Sequence, residues 1–341
     1  MRTYGNNFRT HRFMTAQPQV SFLLSCHNGD KWLNDALKSI AEQTFTEFEA
    51  ILINDGSTDN SREILEAWAK SDSRYKVFTK EKSGLPDSLN FGLSICNGAW
   101  VARLDADDVC ELDRIERQVD AVFDNDQLVL VGSSFYTFGE TNGNRQLFNV
   151  RKSHRHLVKR LETLRSFFPH SSAFLNRDKA LKIGGYQPAL KRAEDWDLWL
   201  RLSELGEITA ITEPLVNIRI HSEQISGIND GEDIILDAYL GSTIHFIRKF
   251  GGVAPHPVND SDHFERLKDI TKQNLIKAKS FELFSLIRSR QLNGPKLNIG
   301  PVSLIHFIYT LRRHRLLKLA LRHKLVGSKI PESVASAFLG N

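Results

Sequence analysis

Trp100-Val-Ala-Arg-Leu-Asp-Ala-Asp-Asp108 is the stretch that decides how the rest of the chain is read. Trp100 to Leu104 is a short, mostly apolar run, long enough for one buried strand. It ends in three carboxylates within four residues, Asp105, Asp107 and Asp108. Like charges this close repel by roughly 4 kcal/mol per pair at 4 Å and an effective dielectric near 20. A strand end that keeps them asks for a cation, and carboxylate oxygens are hard ligands that suit Mg2+ or Mn2+. An ion held this way also grips a diphosphate. A calcium loop of the EF-hand kind, started at Asp105, needs an oxygen ligand at its fifth position and glycine at its sixth. Val109 and Cys110 stand there, so that reading fails. The alternative left is a solvated acidic turn capping the next helix, and the flanking sequence has to choose.

Toward the N-terminus the chain alternates strand and helix. Val20 to Ser25 reads as a buried strand, and Asp30 to Glu42 as a helix with Leu33, Leu37, Ile40 and Ala41 inward. Phe48 to Ile53 is a second strand, running into Asn54-Asp-Gly-Ser-Thr-Asp-Asn60, a loop of turn and cap residues before a helix through Trp68. Tyr75 to Thr79 is a third strand and Leu85 to Cys96 a helix; Trp100 to Leu104 is the fourth strand, with a helix from Leu112 to about Phe123. This rhythm predicts a mostly parallel sheet with helices on both faces. Such sheets bind ligands beyond the carboxyl ends of their strands. Ser25 to Asn28, Asn54 to Ser57, Lys80 to Gly84 and the acidic cluster all fall at those ends.

Beyond the cluster the rhythm changes. Two short strands are expected within Leu128 to Phe138, a basic helix over Arg151 to Phe168, a strand over Ser171 to Leu175 and a turn at Gly184-Gly-Tyr186. Ala193 to Leu202 reads as a helix whose acidic first turn suits the helix dipole. Strands at Ile208 to Ile211 and Leu215 to Ile220 lead to His221. After Ser226 the pattern is helical, with a linker expected around Gly251 to Asp262.

At 341 residues the chain has room for one large domain and a smaller one. Its 41% apolar and 25% charged residues are ordinary for a globular protein and argue against a disordered chain. A net charge of +4 is too mild to argue nucleic-acid binding. The three cysteines are odd in number and match no metal spacing, which favours a reducing, cytoplasmic setting. Met1 to Pro18 lacks the apolar centre of a secretory signal, and no run of about 18 apolar residues suits a membrane span.

At this point five features in order carry a family resemblance. They are Val20-Ser-Phe-Leu-Leu-Ser-Cys-His-Asn28, Asn54-Asp-Gly-Ser-Thr-Asp59, Arg103-Leu-Asp-Ala-Asp-Asp108, Glu194-Asp195 after Gly184-Gly185, and His221. Over roughly Val20 to Ser226 the chain resembles an inverting glycosyltransferase of family 2, the nucleotide-sugar-dependent class with the GT-A fold. That fold is α/β, a Rossmann-like, mostly parallel central sheet flanked by helices, here with a helical C-terminal extension. The expected domains are an N-terminal extension (1–18), the GT-A domain (19–226) and a helical C-terminal region (227–341).

The resemblance also implies residue roles. Asp55 would accept a hydrogen bond from a uracil ring, with Ser25 and His27 against the nucleoside; the family more often has tyrosine at the place of His27. Lys82 and Gly84 border the nucleotide, Lys82 either offsetting diphosphate charge or standing as an ordinary exposed lysine. Asp105 and Asp107 would face the ribose and the metal, and His221 would complete the shell of Mn2+ or Mg2+. Arg103, on the same strand face as Asp105, either pairs with a carboxylate or reaches the donor sugar. Asp195 would be the catalytic base, with Glu194 holding the loop or the acceptor.

Trp196 and Trp199 read mainly as core. Processive members carry a Gln-x-x-Arg-Trp motif and membrane spans, and neither is present in this sequence. The expectation is transfer of one sugar per encounter, from a UDP-sugar to a glycan or lipid-linked glycan of surface polysaccharide or lipopolysaccharide type.

Residues 301–330 hold seven Lys and Arg and no Asp or Glu among dense leucines. Peripheral contact with the cytoplasmic membrane face and ordinary packing both remain open for them. Two other classes are weighed. A sugar-phosphate nucleotidyltransferase needs a Gly-rich, Arg-containing loop after the first strand, which Cys26-His-Asn-Gly-Asp30 is not. An inactive nucleotide-sugar-binding module would lack Asp195 or the metal cluster, and both are present.

Overall fold

The computed structural model describes residues 20–139, 145–162, 167–222, 231–249 and 261–277. The N-terminal extension, nearly all of the expected linker and the basic segment 301–330 lie outside the described residues. The chain divides into two compact units, one of residues 1–154, 168–186 and 205–220, the other of 155–167, 187–204 and 221–341.

In chain order the elements are β1 (Val20–Cys26), α1 (Asp30–Ala41), β2 (Phe48–Asp55), α2 (Ser61–Ser71), β3 (Tyr75–Lys80), α3 (Leu85–Ile95) and β4 (Trp100–Arg103). Then come β5 (Val109–Cys110), α4 (Arg114–Phe123), β6 (Leu128–Gly139), β7 (Arg145–Phe148) and α5 (His154–Glu162), which opens the second unit. A 3-10 turn at His170–Ser172, β8 (Phe174–Asn176) and α6 (Arg177–Lys182) return to the first unit, and α7 (Glu194–Leu202) belongs to the second. β9 (Glu207–Ile220) completes the sheet, and α8 (Gly231–Lys249) and α9 (Ser261–Lys277) lie in the second unit.

The strands of the first unit form one mixed sheet ordered β3-β2-β1-β4-β8-β6-β9-β5, with β7 on β6. β3, β2, β1 and β4 run parallel, as the alternation predicts. β8 then pairs antiparallel with both β4 and β6, so β6 again runs the way of β4. Every residue of β1 and β2 is buried, the mark of strands covered on both faces. On one face Phe22 and Leu24 pack with Leu33, Leu37 and Ile40 of α1. On the other Leu23 lies against Gly92 of α3. Trp32, Leu33, Ala36, Leu37 and Ile40 recur three and four apart, so one stripe of α1 is buried. Each leucine removed from water here contributes about 1.5–3 kcal/mol.

Four boundaries differ from the sequence-based expectation. The pair of strands expected within 128–138 is the single strand β6, because β9 lies parallel along its length from Leu128 opposite Glu207 to Gly139 opposite Ile220. The two strands expected before His221 are likewise the single β9. Its register jumps from Ser133–Ile211 to Ser134–Pro214, a bulge at the place where proline has no N–H to give the ladder. α5 starts at His154 instead of 151, since the Lys152 carbonyl accepts a 2.8 Å bond from the Thr209 hydroxyl and is held to β9. The strand expected from Ser171 begins at Phe174, because the Ser172 hydroxyl and N–H turn back to the Pro169 carbonyl at 2.9 and 3.0 Å.

In the second unit Trp199 is buried, and the Trp196 indole donates to the Leu161 carbonyl at 2.8 Å while meeting Phe167 edge-on. The buried Asp197 and the half-buried Arg201, one turn apart on α7, form an ion pair at 2.6 Å. His245 of α8 lies with Nδ1 2.7 Å from Glu204 and Nε2 3.4 Å from Glu162. No helix among the described residues is long and apolar enough to cross a membrane.

Candidate active site

The carboxyl ends of β1, β2, β3 and β4 carry the four polar loops. The first two are laced together by short side chains. Asn28, in the left-handed region at φ 54°, accepts the Thr58 N–H at 2.8 Å, and its own N–H donates to Ser57 Oγ at 3.1 Å. Gly29 N–H donates to Ser61 Oγ at 2.9 Å, and Asp30 N–H to Asp59 Oδ2 at 3.1 Å. His27 Nδ1 is 2.9 Å from the Asp55 carbonyl oxygen, and Ser25 is buried in β1 opposite Ile53.

Asp55, at the end of β2, reaches across to the third loop. Its Oδ1 accepts from Ser83 N–H at 3.0 Å and Lys80 Nζ at 3.1 Å, and Oδ2 from Gly84 N–H at 2.9 Å. Burial raises the carboxyl, but the hydrogen bonds from Ser83, Ser88, Gly84 and Lys80 together hold it below its ordinary value. Gly56 has φ +65°, and a Cβ there would stand 2.7 Å from Lys82 N, so only glycine lets these loops meet. The Lys82 side chain is exposed, and the cation that touches the carboxylate is Lys80.

The acidic loop lies next to the first. A Cβ on Gly29 would be 3.6 Å from Ala106, between Asp105 and Asp107. The buried Arg103 pairs with Asp105 Oδ1 at 2.5 Å, as one of the two readings of that residue has it. Asp105 and Asp107 are half-buried, whereas Asp108 is buried and turned inward. Asp108 Oδ1 accepts the Arg219 N–H at 2.9 Å, and the Arg219 guanidinium donates to the Asp107 carbonyl at 3.0 Å and Asp35 at 2.8 Å.

The buried Ser171 hydroxyl lies 2.7 Å from Asp105 Oδ2 and 2.5 Å from Asp108 Oδ2. A hydroxyl has one hydrogen to give, so the two carboxyl groups compete for it. Burial and the charges of Asp105 and Asp107 push the Asp108 carboxyl well above the ordinary range. Burial also raises Asp105, but Arg103 and the other partners outweigh it and leave it lowered.

Behind the loop, Arg114 of α4 donates to the carbonyls of Arg103 at 2.8 Å and Ala173 at 3.2 Å from a fully buried position. Asn90 of α3 grips Tyr186 through both backbone groups, at 2.7 and 2.8 Å, and the Tyr186 hydroxyl meets His170 Nε2 at 2.9 Å. Burial and the nearby Arg103 charge hold the His170 imidazole well below its ordinary value. Lys80, Arg114, His170, Ser171 and Arg219 all escaped the sequence reading. Arg219, two residues before His221 on a strand, was the one with a local signal.

The donor chemistry fits a hard divalent ion: two rim carboxylates beside a third that burial, and then their charge, push up. Among the described residues no three His, Cys, Asp or Glu gather into a ready shell. The reason is visible, since Asp105 is turned to Arg103 and Ser171 and Asp108 to Ser171 and Arg219.

In the second unit Glu194 is buried and Asp195 half-buried in the first turn of α7. Asp195 Oδ1 accepts the Trp196 N–H at 2.6 Å. His221 directly follows the last residue of β9.

A mixed sheet whose parallel half ends in polar loops and a carboxylate cluster is of the GT-A type. The model of glycosyl transferase family 2 matches residues 21–184. The O-antigen biosynthesis glycosyltransferase WbnJ of Escherichia coli is 31% identical over 208 residues, covering 60% of this chain and 80% of that protein. The amylovoran biosynthesis glycosyltransferase AmsE of Erwinia amylovora is 30% identical over 210 residues, covering 60% and 78%. Among solved structures, S. aureus TarS 1-349 in complex with UDP-GlcNAc matches with a TM-score of 0.57 at 17% identity, over 94% of this chain and 88% of that one. The mannosyltransferase PcManGT from Pyrobaculum calidifontis, in complex with GDP-Man and Mn2+, gives 0.50 at 18% identity, over 95% and 86%. The chain belongs to glycosyltransferase family 2, and it is a glycosyltransferase.

Proposed function

We propose that this enzyme is a metal-dependent, inverting, non-processive transferase that moves a sugar from a UDP-sugar to a glycan or lipid-linked glycan. The observation that carries the reading is the acidic loop at the end of β4, set beside laced loops at the ends of β1, β2 and β3. The names of WbnJ and AmsE, in O-antigen and amylovoran biosynthesis, support a polysaccharide-type acceptor. The UDP-GlcNAc complex of TarS supports the UDP donor, and the Mn2+ of PcManGT a divalent ion.

In this reading residues 19–226 form the transferase domain and 227–341 a helical region. Asp55, with Ser25, His27, Lys82 and Gly84, binds the nucleotide, and Arg103 and Asp105 line its ribose and sugar side. Asp105, Asp107 and His221 would hold Mn2+ or Mg2+, which supplies positive charge for the diphosphate. Asp195 takes the acceptor hydroxyl proton as that oxygen forms the new glycosidic bond. The bond from the sugar to the diphosphate breaks with its electron pair leaving on UDP. Attack from the opposite face inverts the anomeric carbon, and general-base help of this kind contributes about 10²–10⁴-fold. Glu194 holds the acceptor or the loop.

Calorimetry and turnover test the reading together. UDP should bind with Mn2+ and lose that binding in excess EDTA; unchanged affinity under chelation would sink the metal bridge. Asp195→Asn should cost at least ~10² in turnover with nearly unchanged UDP-sugar affinity. Near-normal turnover would move the base elsewhere, Glu194 first. Binding of GDP in place of UDP would overturn the donor and leave the transferase class standing.

The basic segment 301–330, outside the described residues, extends the proposal to the cytoplasmic membrane face. The full chain should sediment with anionic vesicles at low salt, and a chain truncated before Pro301 should not. A full-length chain that ignores the vesicles would leave the segment to packing and the acceptor soluble.

A further inference from the structure

The turn at Gly184-Gly185 does more than close α6. Gly185 N–H donates to the Ala180 carbonyl at 2.9 Å, and the two glycines stand in the left-handed region at φ +83° and +66°. A Cβ on Gly185 would collide with the Asn90 side chain, so only glycine lets α3 come this close. Asn90 then pins both backbone groups of Tyr186, accepting its N–H at 2.7 Å and donating to its carbonyl at 2.8 Å. Tyr186 is buried, and its hydroxyl meets His170 Nε2 at 2.9 Å. A phenylalanine would fill the same space, and the buried oxygen is tolerated because it is bonded. His170 opens the 3-10 turn whose next residue is Ser171, and its half-buried ring feels the charges of Arg103 and Asp105. The Ser171 hydroxyl accepts the Asp105 N–H at 3.1 Å and lies 2.7 Å from Asp105 Oδ2 and 2.5 Å from Asp108 Oδ2. One unbroken path of short contacts runs from α3 through Asn90, Tyr186, His170 and Ser171 to two carboxylates of the acidic loop.

We propose that Tyr186 is a positioning residue of the donor site, acting through His170 and Ser171 to set Asp105 and Asp108 for a divalent ion. The inference rests on the metal-dependent UDP-sugar reading above and adds to it a residue that lies outside the acidic loop. Groups that orient the ligands of a metal are worth about 10–100-fold in its affinity.

The test follows Mn2+ uptake by the full chain in the presence of UDP, read as loss of the free-ion signal in electron paramagnetic resonance. Tyr186→Phe removes one oxygen and keeps the buried ring. His170→Leu removes the other end of the bond, and His170→Gln keeps a polar end that can reach the hydroxyl. Tyr186→Phe and His170→Leu should each raise the Mn2+ needed for half-saturation about tenfold, with the number of sites per chain unchanged. Joined in one chain they should cost no more than either alone, because both break the same path. His170→Gln should recover most of the loss. Unchanged Mn2+ affinity in Tyr186→Phe overturns the proposal, as do losses that multiply to about a hundredfold in the double variant. So does a loss of binding sites at unchanged affinity, which is what a tyrosine that serves only the fold would give. A wild type that takes up no Mn2+ with UDP fails differently. If GDP restores the uptake, the donor assignment falls and the same comparison is read with GDP. If neither nucleotide does, the metal reading falls and this proposal with it.

Discussion

The loops at the carboxyl end of the sheet are built by two different means. Loops 26–30 and 54–61 hold each other with short polar side chains, Asn28, Ser57, Asp59 and Ser61, each bonded to backbone N–H of its neighbour. The acidic loop 105–108 is held from other elements, by Arg114 of α4 behind it and, from far along the chain, by Ser171 and Arg219. Backbone-to-hydroxyl lacing places a neutral surface with little charge at stake. Gathering carboxylates demands buried partners such as Arg103, Ser171 and Arg219, because like charges at this spacing repel strongly.

Arg114→Leu should break the contrast most visibly. It strips the carbonyls of Arg103 and Ala173, the Cys110 thiol and Gln118 of a buried donor. A loss of about 3 kcal/mol in urea unfolding is expected. A loss below about 1 kcal/mol would mean that the loop does not depend on the buried arginine behind it.

A paired measurement sharpens the contrast. Ser171→Ala leaves two carboxylates sharing no hydroxyl and should cost about 1–2 kcal/mol. Asn28→Ala, at an exposed turn, should cost about 0.5–1 kcal/mol. Equal costs from urea midpoints would show the two sets of loops to be held alike.

The smallest effect concerns pH. The Asp55 carboxyl is lowered in the folded protein, while in the unfolded chain it stays near ~3.9. Its contribution is therefore present above about pH 4 and is lost as pH falls through the folded value. Asp55→Asn should flatten this acid branch of the unfolding midpoint. An unchanged acid branch in that variant would show that the Ser83 and Gly84 bonds do not depend on the charge.

The Asn54 to Asn60 loop could be read because turn and cap residues act on backbone within a few positions. The acidic loop announced its chemistry but not its geometry. That Asp108 turns inward while Asp105 and Asp107 stay at the rim depends on Ser171 and on β9, residues 63 and 111 positions away. That Lys80 reaches the Asp55 carboxylate was not legible, because only the direction of the β3 end brings its side chain there.

By itself the sequence determined the parallel half of the sheet, the helices that cover it and the four loops at its carboxyl end. Those follow from apolar periodicity and turn chemistry, which are local. The tertiary structure alone decided the mixed half, where the length of β6 matches β9 through a bulge at Pro214. It also decided which nitrogen of His27 is bonded and how the carboxylates are shared out. These depend on partners brought together across tens to more than a hundred residues, and no local pattern records which groups will meet.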